Sequence, residues 1–119
     1  MPKDIKPLVD KTETFDLLEI RIGRVLSVEP ALQAPKPSYK VIADFGKFGQ
    51  KTTVARLTQH EPEDLIDQLI VGILNFGTRI VGETNSEFLL LGPQYPKAES
   101  GEASFLTMPV NAKIGGKIF

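Results

Sequence analysis

Asn75–Gly92, NFGTRIVGETNSEFLLLG, is the stretch on which the fold of this chain turns. An apolar run, LIVGILNF (residues 69–76), leads into it. A polar turn holding Arg79, Glu83, Asn85, Ser86 and Glu87 follows, and a second apolar run, FLLLG (residues 88–92), leads away. Two apolar runs around a polar turn make a β-hairpin with its chemistry at the tip. A long hairpin arm on a small β domain suits gripping a partner better than turning over a substrate, so a binding module is expected. Asn75 and Ser86 are expected to face each other across the arm.

Working back from the hairpin, the chain reads as β-rich with short helices. Thr14 suits the cap of a turn over residues 15–18, with Asp16 favourable in its first turn. LEIRIGRVLSVE (residues 18–29) alternates apolar and polar until Gly23, where a β-bulge is expected to bend one long strand so that it serves both halves of a small barrel. The loop PALQAPKPS is stiffened by Pro30, Pro35 and Pro37. YKVIADF then places Tyr39, Val41, Ala43 and Phe45 on one face, and KTTVARLT forms a third strand. Pro62 followed by acids marks the start of a short helix, EPEDLIDQ. SFLTMP and KIGGKIF are expected to close the sheet. Five or more strands with one helix between the third and fourth describe an all-β, OB-type five-stranded barrel with an extended hairpin arm and terminal extensions. Residues 1–14 are expected to form an N-terminal arm and residues 15–119 a single OB domain.

Composition removes several function classes. The chain of 119 residues has no Cys and one His, His60. Disulfides, thiol nucleophiles, Cys-rich zinc sites and His-pair metal sites are therefore excluded, and a Ser-His-Asp triad would rest on that single His. Nothing pairs a nucleophile with a base, and GKFGQK lacks the spacing of a phosphate-binding loop. A non-enzyme without metal or cofactor is expected. MPKDIKPLVDK has no apolar targeting core, and no run approaches the ~20 residues of a bilayer span. The expectation is a cytoplasmic protein that does not insert into membranes.

Charge is balanced overall, with 14 Lys and Arg against 15 Asp and Glu, but it is unevenly spread. Between Gln33 and His60 stand Lys36, Lys40, Lys47, Lys51 and Arg56 against Asp44 alone, and the next seven residues carry Glu61, Glu63, Asp64 and Asp67. A local positive face of this kind attracts phosphate although the whole is near neutral. Lys36, Lys40, Lys51 and Arg56 are the electrostatic candidates, because the second and third strands form the face on which OB folds receive nucleic acid. Most aromatics fall in apolar strands, which favours recognition of a folded RNA by shape and backbone over base-by-base reading.

FDLLEIRIGRVLSVE, PSYKVIADFG, KTTVARLT, PEDLI and NF…SEFLLLG, in this order and at these spacings, resemble the CsaA family of tRNA-binding-domain proteins over residues 15–118. The wider family includes appended C-terminal domains of some methionyl-tRNA synthetases. The resemblance implies an OB fold, a homodimer and tRNA binding; its CsaA branch also implies a chaperone role in protein export. Asn75 and Phe76 match the family's fourth-strand ending, Arg79 its basic tip, and Ser86–Glu87 the Ser-Glu that opens the fifth strand. Gly77-Thr78-Arg79-Ile80 stands where the family usually shows two prolines and two adjacent basic residues, and Thr84-Asn85 where it shows an aromatic and a basic residue.

Two functions follow as expectations. In the first, a dimeric module engages tRNA or another folded RNA through Lys36, Lys40, Lys51, Arg56, Asn75, Arg79, Ser86 and Glu87. In the second, apolar surface around Phe76, Ile80, Val81 and Phe88 accepts unfolded or pre-secretory polypeptide and so serves the export machinery. Ile70, Val71, Ile73, Leu74 and Leu89 to Leu91 exceed what one face of a small barrel buries, so dimerisation is expected to cover the rest.

Overall fold

The computed structural model describes residues 5–96, 102–106 and 108–119. Residues 1–4 of the expected arm and Thr107 of SFLTMP lie outside the described residues. The strands are β1 (Ile20–Pro30), β2 (Tyr39–Asp44), β3 (Gln50–Ala55), β4 (Leu69–Ile73), β5 (Arg79–Val81), β6 (Thr84–Ser86) and β7 (Leu89–Leu91), and a short helix, α1 (Pro62–Leu65), joins β3 to β4. The five-stranded sheet runs β3-β2-β1-β4-β7, and β5-β6 form a separate two-stranded ladder. All of the named pairings are antiparallel. One long strand is shared by both halves of the curled sheet, and a helix sits between the third and fourth strands, which is the OB-type barrel.

Sharing is built into β1. Its first half, Ile20 to Arg24, pairs with β4, and its second, Arg24 to Pro30, with β2. The register slips between Val25 and Ser27, so the bulge lies at Leu26 rather than at Gly23. Gly23 serves another purpose. A Cβ there would sit 2.7 Å from the Phe45 ring, so the glycine makes room for the largest buried side chain of the barrel. Around that ring gather Val25, Val41, Ala43, Ile70 and Phe88, which confirms the inward face read from the alternation of YKVIADF.

β4 is buried at every position. Ile70 enters the barrel interior, while Val71 and Ile73 join Ile20 in a second cluster covered by Phe15, Leu18, Leu91, Met108 and Ile118. A strand covered on both faces reads as a continuous apolar run. The apolar surplus of residues 69–74 is thus absorbed within one chain by the terminal segments, and it no longer argues for a dimer. The C-terminal segment achieves this by running along β1: Gly115 N–H donates to Ile22 O at 2.7 Å, Ile22 N–H to Gly116 O at 3.0 Å and Ile118 N–H to Ile20 O at 3.0 Å. KIGGKIF therefore extends the sheet beside β1. Ser104 and Phe105 of SFLTMP pack instead near the end of β3, where Ala103 N–H donates to Arg56 O at 2.9 Å.

Candidate nucleic-acid interface

The hairpin differs from its sequence reading in one respect that controls the site. Rather than one long pair of strands, β4 pairs with β7, and residues 74–88 bulge out between them to form the short β5–β6 ladder, with Arg79 opposite Ser86, Ile80 opposite Asn85 and Val81 opposite Thr84. Asn75 is not opposite Ser86. Its side chain ties the end of β4 to the N-terminal segment, accepting from Glu19 N–H at 2.8 Å and donating to Leu17 O at 2.9 Å.

Ser86 and Glu87 join the arm to the barrel. Ser86, 8 % exposed, accepts from Val54 N–H at 3.2 Å and lies 3.2 Å from the Thr53 hydroxyl, which itself donates to Phe88 O at 2.6 Å. Glu87 N–H donates to Thr52 O at 2.7 Å, and its carboxylate takes the Thr52 N–H at 2.9 Å. A free β3 edge would expose unpaired backbone groups; here two side chains and one backbone bond cap it. The Ser-Glu pair thus acts as a seam, with Ser86 withdrawn from solvent.

Beside the seam, between β3 and the hairpin, opens a cleft of about 450 Å³ whose lining includes Arg56, Phe76, Arg79, Ser86, Phe88 and Leu89. Phe88, 4 % exposed, contributes only to the floor: its ring meets Phe45 edge-on at 4.9 Å in the core. Phe76 and Ile80 are 61 % and 72 % exposed, and Val81 is half-buried. Arg79 is exposed at the cleft, and among the described residues its guanidinium has no ion pair; the Glu87 carboxylate, a candidate partner, is turned to β3. Arg56 borders the same cleft but is largely buried, 3.6 Å from the carboxylate of Glu102, which also accepts the Thr58 hydroxyl at 2.6 Å. Glu102 was invisible to sequence reasoning, because it reaches Arg56 only through the fold.

The lysines do not gather with them. Lys40 faces outward opposite Glu29, with the charged groups 3.5 Å apart, and shares a concavity with Glu83 and Glu87. Lys51 is opposite Ala43, in register with the inward-facing side of β2 at the end of the sheet. Lys36 is exposed on the proline-rich loop. Strands β2 and β3 therefore carry no common lysine face. His60 is structural: its Nε2 lies 3.1 Å from the Ser104 hydroxyl, its ring meets Tyr95 edge-on at 5.6 Å, and its carbonyl accepts the Tyr39 hydroxyl at 2.7 Å. Burial, with Glu61 next in effect, holds the Tyr39 phenol above its ordinary value, so it remains a donor. Among the described residues no cluster of His, Asp or Glu is arranged to hold a metal, and no helix is long and apolar enough to cross a membrane.

With this geometry in view, the chain is similar over 94 % of its length and 100 % of the other's to chaperone CsaA of Bacillus anthracis str. Ames, at 35 % identity and a TM-score of 0.82. The chain belongs to the CsaA family. A CsaA chaperone protein of Picrophilus torridus is 28 % identical over the same share of the chain, with a TM-score of 0.83. A methionine–tRNA ligase of Pyrococcus horikoshii is 31 % identical over 110 residues, 91 % of this chain but only 14 % of the ligase, so the chain spans about one seventh of that curated relative. No family model matches. The CsaA neighbours carry the same barrel.

Proposed function

We propose that the chain is a non-catalytic OB protein of CsaA type that binds tRNA or another folded RNA, working as a cytoplasmic homodimer. The observation that carries the reading is Arg79. It is an exposed guanidinium without an ion pair among the described residues, at a cleft that also offers an exposed aromatic ring, Phe76. A cation for phosphate beside a ring for stacking is the pairing that nucleic-acid clefts use. Similarity to part of a methionine–tRNA ligase supports tRNA as the RNA. Lys36, exposed on the neighbouring loop, remains a candidate phosphate contact, while Asn75, Ser86 and Glu87 act by holding the hairpin that presents Arg79. Dimerisation is supported by apolar residues of the terminal segments, Leu8, Leu17 and Phe119, which stay exposed in the single chain; sedimentation as a monomer at micromolar concentration would reject it.

Exposed Phe76 and Ile80, together with two neighbours that are chaperones, favour a second reading, capture of unfolded or pre-secretory polypeptide at the same cleft. A salt titration separates the two, because phosphate contacts weaken steeply with salt and apolar capture does not. For RNA binding, affinity for tRNA falls as salt rises, and Arg79→Ala flattens that slope. Salt-independent binding of an unfolded polypeptide, with no measurable tRNA binding at low salt, would establish the second reading instead.

A further inference from the structure

The β5–β6 ladder has only three residue pairs. An isolated two-stranded hairpin is marginal in water, so this one needs anchors at both ends to hold Arg79 in a defined place. Its base is anchored by Ser86 and Glu87 on β3. At its tip, Gly82 has φ +61, and a Cβ there would lie 2.5 Å from both the carbonyl carbon and the oxygen of Gln33 and 2.8 Å from Ala34 N. The turn thus lies backbone to backbone against the β1–β2 loop. That loop is a firm surface: Pro30, Pro35 and Pro37 restrict it, Ala31 N–H donates to Ser38 O at 2.9 Å across its neck, and Gln33 itself holds φ +67. A second observation agrees, since Glu83 and Thr84 of the turn share one concavity with Glu29, Pro30, Leu32 and Lys40.

We propose that Gly82 is a positioning residue: by letting the hairpin tip seat on the Gln33–Ala34 backbone, it fixes Arg79 at the cleft in the geometry that receives phosphate. This rests on the reading of Arg79 as the RNA contact. A side chain at position 82 lifts the tip off the loop and leaves the ladder held at its base alone.

The test is a tRNA titration across salt concentration with Gly82→Ala, Arg79→Ala and the double variant. The control is Gly49→Ala, which also strains a positive-φ backbone, at φ +84 and ψ −177 in a region still more restricted to glycine, but meets nothing within 4 Å and lies outside the cleft. Gly82→Ala is expected to lose as much affinity and salt slope as Arg79→Ala, the double variant to lose no more than Arg79→Ala alone, and Gly49→Ala to bind as wild type. Amide exchange at Val81 and Thr84, the hydrogen-bonded pair that closes the turn, should speed up in Gly82→Ala and not in Gly49→Ala. If Gly82→Ala is too unstable to assay, Gly82→Asn tolerates the left-handed backbone yet still carries the Cβ and should give the same pattern. Arg79→Ala losing affinity while both position-82 variants bind as wild type overturns the positioning role and leaves the RNA reading standing. Arg79→Ala binding as wild type overturns the reading itself.

Discussion

Arg79 and Ser86 stand opposite each other in one ladder, yet they belong to different parts of the molecule. Ser86 is buried and bonded to β3; Arg79 is exposed at the cleft with no ion pair among the described residues. The same contrast separates Phe88, packed on Phe45, from Phe76, which is open to solvent. The hairpin thus has a structural inner strand, β6, against β3, and a free outer strand, β5, and its motif residues divide between them. A buried polar group that loses its partner costs stability, whereas an exposed cation costs little until a ligand meets it. Stability and binding should therefore respond to different residues only a few positions apart.

The largest effect that would break this division is on the phenylalanines. Phe88→Ala removes a ring from the core and should destabilise by about 3–5 kcal/mol in urea unfolding. Phe76→Ala should stay within about 0.5 kcal/mol of wild type. Equal losses would mean that Phe76 is packed, and the cleft with it. Next comes the seam. Ser86→Ala leaves the Val54 N–H without its acceptor, so a loss of about 1–3 kcal/mol is expected, measured the same way. Arg79→Ala should reverse the pattern, with stability unchanged and tRNA affinity lower by about 1–3 kcal/mol in a low-salt titration, the scale of a charge-assisted contact.

Periodicity made the barrel legible. The alternation of YKVIADF and the Pro62 start of α1 are local signals, and both appear as read. The seam was not legible, because Ser86 and Glu87 acquire their roles from β3, more than thirty residues away. Nothing within SEF distinguishes a hydroxyl that meets phosphate from one that accepts a backbone N–H. Gly23 misled for a related reason: a glycine in a strand signals either a bulge or a close approach, and only the position of Phe45 decides between them. Lys36, Lys40, Lys51 and Arg56 looked like one patch because they are near in sequence. Register disperses them, setting Lys40 beside Glu29 and Lys51 opposite Ala43.

That dispersal yields the smallest expected effect. Lys40 is half-exposed, 3.5 Å from Glu29, in a neighbourhood that also holds Glu83 and Glu87. An exposed pair of this kind contributes roughly 0–1 kcal/mol to stability, and the surrounding carboxylates repel any phosphate that approaches. Lys40→Gln should accordingly leave urea unfolding almost unchanged and leave tRNA affinity at wild-type strength. The salt slope is the more discriminating readout, because each phosphate contact contributes roughly 0.7–0.9 to it whatever the affinity of the complex. An unchanged slope in Lys40→Gln beside a flattened one in Arg79→Ala would place the phosphate contact on the outer strand of the hairpin, β5. A slope flattened equally in both would return the outer face of β2 to the interface, and the division between seam and cleft would then describe stability alone.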